Sequence, residues 1–173
     1  LHEIWNGSSW TETTDLNTAR QALPGFGGSN TSSVAAGGSN PGVQALTEYW
    51  NGSSWTEVNN LNTAREAGSV TAAAETWNGT SWTTVASLNA GRTNAKTSGN
   101  SSLAVTFGGS SPSYTGATES WDGSSWTEVA DLGTARGYLA RGIGSATAAF
   151  AVSGLNPGGR TAITEKFEAA DFQ

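Results

Sequence analysis

The sequence predicts an all-β fold built from repeated four-stranded sheets. Three observations lead there. A tryptophan-bearing signature recurs along the chain at about the length of one small sheet. Each copy is centred on a dipeptide that favours a β-turn. No stretch carries the periodicity of an amphipathic helix.

The signature is W-[ND]-G-[ST]-S-W. It occurs at Trp5 to Trp10, Trp50 to Trp55, Trp77 to Trp82 and Trp121 to Trp126, with a decayed copy from Phe167 to Phe172. A glutamate precedes each first aromatic by two residues: Glu3, Glu48, Glu75, Glu119 and Glu165. A leucine follows each second Trp by six residues (Leu16, Leu61, Leu88, Leu132), and an arginine by ten (Arg20, Arg65, Arg92, Arg136). Offsets held this strictly are not composition bias.

Each element of a repeat has a local reason. Asn6-Gly7, Asn51-Gly52, Asn78-Gly79 and Asp122-Gly123 sit between aromatic-flanked segments and predict two-residue hairpin turns of type I′. The strands on either side are Ala117 to Trp121 and Ser124 to Val129 in the fourth copy. Thr147 to Val152 is short, apolar and β-compatible, as a buried strand should be. Gly137 to Gly144 reads as a Gly-punctuated strand and Gly154 to Thr161 as a Pro/Gly loop. Small residues at Ala72 to Ala74 and Ala148 to Ala151 let adjacent sheets approach closely.

Spacing then gives the architecture. First aromatics lie 45, 27, 44 and 46 residues apart, and three of these values suit a propeller blade of ~40–50 residues. The short interval, between Arg65 and Trp77, lacks roughly two strands' worth of chain. Either the unit is shortened, or the natural protein carries about eighteen more residues there than this sequence. The second reading is favoured, because a unit without inner strands leaves its neighbours' apolar faces wet. We expect one domain over 1–173, with units at about 1–14, 15–58, 59–85, 86–129 and 130–173, belonging to a longer chain.

Composition restricts function. Gly 23, Ser 22 and Thr 23 dominate the 173 residues, and charged residues are 13%, against roughly 25% in an average soluble domain. The net charge of −6 offers no basic footprint for nucleic acid. No apolar run reaches the ~18 residues of a membrane-spanning helix, so no membrane insertion is expected. Without Cys and with one histidine, His2, at a frayed start, neither a thiolate nucleophile nor a metal cluster can be assembled. No catalytic residue, metal or cofactor is expected. Asp15, Asp131 and Glu66 are expected on a solvated rim.

A small or apolar strand, a Gly-Gly doublet, an aromatic, a Trp about six residues on and then an Arg make up the Kelch pattern. The doublets are Gly37-Gly38 and Gly108-Gly109, with Gly154 alone at the third place. The chain resembles Kelch-type β-propellers over essentially its whole length. It departs in using Trp where that family often has Tyr, and in its short repeat. The wording WNGSSWTEV with LNTAR is similar to Kelch-like repeats of structural and tail-fibre proteins of marine viruses.

Residues present in every repeat are expected to be structural. These are the Trp pairs, packed across the turn, and Glu48 and Glu119 with Arg20, Arg65, Arg92 and Arg136, as ion pairs within or between blades. Sequons at Asn6, Asn51 and Asn78 coincide with the turns that already explain them. Specificity is expected from residues outside the repeat pattern: Tyr114, Arg141, Arg160, Asn156 and Lys96, in variable segments. The resemblance implies a non-catalytic recognition or structural module. It would be a virion or extracellular component in a larger assembly, contacting other virion or surface proteins and host glycan. The rival expectations are a secreted glycan-active propeller enzyme and a cellular surface or filament protein.

Overall fold

The computed structural model describes residues 2–67, 70–140 and 142–169. Every regular element among them is a strand: β1 (Glu3–Trp5), β2 (Trp10–Glu12), β3 (Gly25–Ser29), β4 (Ser32–Ala36), β5 (Thr47–Trp50), β6 (Trp55–Val58), β7 (Ala74–Trp77), β8 (Trp82–Val85), β9 (Lys96–Gly99), β10 (Ala104–Phe107), β11 (Thr118–Trp121), β12 (Trp126–Val129), β13 (Ile143–Gly144), β14 (Ala148–Val152), β15 (Leu155–Asn156), β16 (Gly159–Arg160) and β17 (Thr164–Glu168).

Two sheets are complete, β3-β4-β5-β6 and β9-β10-β11-β12, each four antiparallel strands in chain order. The others are the hairpins β1-β2, β7-β8 and β15-β16 and the three-stranded β13-β14-β17. Among the described residues, the short repeat between 59 and 85 therefore holds one hairpin and no inner pair. The chain divides into two compact units, Leu1–Ala67 with Trp77–Thr83, and Gly68–Thr76 with Thr84–Gln173.

The first unit is packed around Val34, Ala36 and Leu61, with Ala45, Tyr49, Trp77 and Trp82 against them. The second is packed around Val105, Phe107, Leu139, Ala149 and Ala151, with Leu132 and Phe167 alongside. In both, an inner strand supplies the core. β10 is buried at all four residues, as an apolar strand enclosed on both faces must be. The repeated leucines close each unit's outer loop by a backbone bond sixteen residues back: Leu61 to Ala45, Leu88 to Ala72 and Leu132 to Gly116, each 2.9 Å.

The structure corrects four local expectations. The Trp hairpins do not turn in two residues. Trp5 faces Trp10, Trp50 faces Trp55 and Trp121 faces Trp126 across each ladder, so Asn-Gly-Ser-Ser or its Asp variant is the loop. The cause is the first side chain. Asn51 Oδ1 accepts from the amides of Ser53 (2.9 Å) and Ser54 (3.0 Å), an Asx turn that absorbs two further residues. Only the glycine takes positive φ, 97° at Gly52. Next, the Gly154 to Thr161 loop contains the hairpin β15-β16, because Asn156 Oδ1 caps the Gly158 amide at 2.9 Å. The strand expected over Gly137 to Gly144 shrinks to Ile143–Gly144. Finally, His2 is not frayed. Its ring is half-buried, edge-on to Trp50 at 4.6 Å and Trp55 at 5.2 Å, and its Nδ1 shares a 2.7 Å hydrogen bond with the Thr13 hydroxyl.

Candidate functional site

Repeated Glu and Arg meet in three ion pairs, two of them buried and the third with Glu165 27% exposed. Arg20 joins Glu48 at 2.8 Å and Arg92 joins Glu119 at 2.6 Å; Arg136 joins Glu165 as well. Each pair lies within one unit. The arginine is held by its own loop, because the segment Leu16 to Arg20 wraps the carboxylate: Glu48 Oε2 accepts the Asn17 amide at 2.7 Å. Arg20 also donates to the carbonyls of Gly37 and Leu46. Arg136 repeats this with Ser153 and Ala151. Every guanidinium nitrogen of Arg20 and of Arg136 donates to backbone or carboxylate, whereas Arg92 Nε is buried without a partner. Burial lowers the pKa of Arg92, against the opposing pull of Glu119. Burial alone would raise that of Glu165, yet the Arg136 hydrogen bond and the Gly133 amide hold it below the ordinary value.

The doublets serve the same junction. Gly109 donates to the Arg136 carbonyl at 2.9 Å and Gly38 to that of Arg65 at 2.8 Å. Gly108 has φ 66°, and a Cβ there would stand 2.5 Å from the Arg136 carbonyl oxygen, a clash with backbone.

The Trp pairs stack across their hairpins with centroids 5.3–5.6 Å apart. Trp50 and Trp121 are buried, and their indoles donate to the carbonyls of Asn30 and Ser101, both at 2.9 Å. Trp82 donates to the Thr47 hydroxyl at 3.0 Å. Trp55 and Trp126 bury their Nε1 with no partner. Trp77 is half-buried. Trp5 and Trp10 stand out, at 45% and 63% exposed.

What breaks the repeat pattern lies on loops. The segments after the doublets, Ser39 to Gln44, Ser110 to Thr115 and Leu155 to Arg160, are stitched back to the residue after each arginine by isolated bridges: Gln21 to Ser39, Thr93 to Ser110, Gly137 to Leu155. Five residues before each glutamate the tip carries Val43, Tyr114 or Arg160. Two residues after Arg20, Arg92 and Arg136 the backbone enters the left-handed region, at Ala22 (φ 52°), Asn94 (φ 55°) and Tyr138 (φ 52°). The conformation recurs; the side chain it displays changes each time.

In the second unit this places aromatic, amide and cationic groups around Gly137. A Cβ on Gly137 would lie 3.3 Å from Tyr114 Cδ1. Gly137 exchanges backbone bonds of 2.9 and 2.8 Å with Leu155, at the base of the hairpin bearing Asn156 and Arg160. The next residue along is Tyr138, 57% exposed.

Of the residues expected to carry specificity, Tyr114, Asn156 and Arg160 therefore fall on this loop cluster. Asn156 uses its side-chain oxygen to cap its own turn. Lys96 lies in β9 opposite Phe107 rather than on a loop. Arg141 lies outside the described residues. Sequence reasoning missed Tyr138, although its place two residues after a repeated arginine, where the other copies have Ala and Asn, was a readable signal.

Among the described residues no group of three His, Cys, Asp or Glu could hold a metal, and no helix is long and apolar enough to cross a membrane. Asp131, expected on the rim, accepts the Thr118 amide at 3.1 Å.

No protein-family model matches the sequence, and neither does any curated protein. Among solved structures, that of YjhT matches with a TM-score of 0.77 over 95% of this chain and 71% of that one, at 12% identity. The chain has a propeller-like all-β fold. At that identity the likeness speaks for the fold alone.

Proposed function

We propose that this chain is a Kelch-type repeat protein acting as a non-catalytic recognition and structural module. On this reading it is a virion surface component, a tail-fibre or decoration protein, that contacts host glycan and other virion proteins. One observation carries the reading. The repeated glutamates and arginines are engaged internally in three pairs, Arg20 with Glu48, Arg92 with Glu119 and Arg136 with Glu165, while Tyr114, Tyr138, Asn156 and Arg160, which differ between repeats, sit on loops around Gly137. Two tyrosines, an asparagine and an arginine around Gly137 offer ring faces, amide groups and one positive charge. That set suits a polar ring ligand bearing an anionic group. Individual contacts of this kind are weak, and copy number on a particle supplies avidity.

The test has two arms. On an array of acidic and neutral glycans, the labelled chain is expected to bind acidic glycans. Tyr138→Ala or Arg160→Ala should weaken that binding at least tenfold, while Val43→Ala leaves it intact. No binding to either class removes the glycan partner. Antibodies to the chain should decorate intact particles in electron micrographs of a virus encoding it; unlabelled particles with the protein found only in infected cells would end the virion assignment.

A further inference from the structure

The loop cluster around Gly137 is one end of a longer ribbon in the second unit. Thr93 and Ser110 exchange backbone bonds of 3.0 and 2.9 Å, and Ser110 bridges to Tyr114 across its own loop. The Arg136 amide donates to the Thr115 carbonyl at 3.2 Å. Gly137 then bridges to Leu155, and Leu155 faces Arg160 in β15-β16. Five cross-chain steps thus lead from the Thr93-Asn94 segment to Arg160. At about 4.8 Å a step, the ribbon is about 24 Å long.

Its side chains divide by role. Arg92 and Arg136 are buried and paired with Glu119 and Glu165, so the positive charge the ribbon offers lies at its Arg160 end. Asn94 and Tyr114 are half-buried, and Tyr138 and Arg160 are exposed. Asn94 is oriented from beneath. Its Nδ2 donates to Thr93 Oγ1 at 2.8 Å, and that hydroxyl shares a 3.0 Å hydrogen bond with Ser110 Oγ. Among the described residues nothing donates to Asn94 Oδ1, which leaves an acceptor for a ligand hydroxyl. An amide oxygen, two phenol rings and a guanidinium therefore follow one another along the ribbon.

That order fits a linear ligand better than a single ring. One pyranose covers about one strand spacing, so a monosaccharide held at Arg160 never reaches Asn94. Resting on the glycan reading above, we propose that the ribbon takes a linear oligosaccharide of about five units. Its acidic end unit pairs with Arg160, and its neutral units run over Tyr138 and Tyr114 to a hydroxyl that donates to Asn94 Oδ1. Each contact is weak alone. Linkage makes every later contact intramolecular, so affinity grows with chain length until the ribbon is filled.

Titration calorimetry of the whole chain tests this with linear α- and β-linked glucose oligomers of roughly one to seven units, each ending in one glucuronic acid. Affinity should rise about tenfold or more from the two-unit to the five-unit probe, then level off. Arg160→Ala should weaken every length about tenfold. Asn94→Ala should weaken the five-unit probe about threefold and leave the two-unit probe unchanged. Ala22 holds the same backbone conformation in the first unit, so this variant should keep the native circular dichroism. Equal affinity at all lengths overturns the linear ligand and leaves the acidic-glycan reading standing. So does an Asn94→Ala variant that binds the five-unit probe like the native chain, or that loses the two-unit probe as well. No binding at any length removes both.

Discussion

Glu3 to Glu12 and Glu48 to Glu57 differ at one residue in ten, Ile4 against Tyr49, and both form a hairpin with Trp facing Trp. Their turns are capped alike, Asn6 and Asn51 each accepting two amides at 2.9–3.0 Å. Their burial is opposite. Trp50 is 1% exposed and Trp5 is 45% exposed. The difference is β3 and β4, which extend the second hairpin inward and supply the Asn30 carbonyl for the Trp50 indole. Local sequence builds the hairpin; neighbouring strands decide what it contributes to stability.

The largest expected effect tests that division. Trp50→Ala leaves a cavity and strands the Asn30 carbonyl, and should cost about 3–5 kcal/mol in denaturant unfolding. Trp5→Ala should cost about 1 kcal/mol or less. Equal losses would mean the hairpin, not its inner strands, carries the energy.

The glutamates sharpen the same contrast. Glu48 is buried against Arg20, with side chains 2% and 0% exposed. Glu48→Gln leaves a buried guanidinium without its counter-charge, a loss of about 3–5 kcal/mol. Glu3, at the same hairpin position but exposed, should tolerate Gln within about 0.5 kcal/mol. Chemical denaturation of the two variants side by side decides it.

Much of this was legible beforehand. Fixed offsets placed Glu and Arg in every repeat, and a role needed in every copy is structural, so their pairing is unsurprising. Four strands to a repeat followed from spacing and turn chemistry, and two of the sheets have them. The turn length did not, because an Asn-Gly pair encodes a two-residue type I′ turn and an Asx-capped loop equally well; only Ser8 and Ser9, with amides free to meet Asn6 Oδ1, separate them. Tyr138 escaped because a left-handed backbone at a tyrosine runs against propensity. It stands next to the tertiary bridge from Gly137 to Leu155, and only its repeat position, two residues after Arg136, marked it in the sequence. Trp10 could not be told from Trp82 by sequence, since burial depends on what stands next to the hairpin.

A smaller effect concerns the second Trp of each pair. The Trp82 indole has the Thr47 hydroxyl. The residue at that place in the hairpin preceding Trp126 is Ala74, which has no acceptor, and Trp126 Nε1 is buried without a partner. For Trp55 the corresponding residue is His2, whose ring meets it edge-on and whose Nδ1 is engaged with Thr13. Ala74→Thr should therefore stabilise the protein by about 1 kcal/mol, and Thr47→Val should destabilise it by about 1–3 kcal/mol through the orphaned Trp82. Opposite signs in thermal unfolding identify the hydroxyl as the agent; two losses would show that shape at this position matters more than the bond.

The smallest effect separates one turn from its three relatives. Asp122 replaces the asparagine and reverses one hydrogen bond: Ser125 Oγ donates to its Oδ2 at 3.0 Å where Asn6 Nδ2 donates to Ser9 Oγ at 3.2 Å, while the two amides and the Ser124 hydroxyl are accepted as before. The Ser125 and Ser124 amides, then those hydroxyls, hold its pKa well below the ordinary carboxylate value. A carboxyl depressed in the folded state binds fewer protons there than when unfolded. Its contribution is present above the unfolded value of about 3.9 and is lost as pH falls through the folded one. Glu165, held low by Arg136, shares that direction. The melting temperature should thus fall with pH below about 4, less steeply in Asp122→Asn, which keeps the two-amide cap and loses the charge. Asn51→Asp should make the slope steeper, since Ser53 and Ser54 stand where Ser124 and Ser125 do. If the Asp122→Asn slope matches that of the native chain, the turn's charge is solvated too well to matter and the acid sensitivity resides in the Glu–Arg pairs.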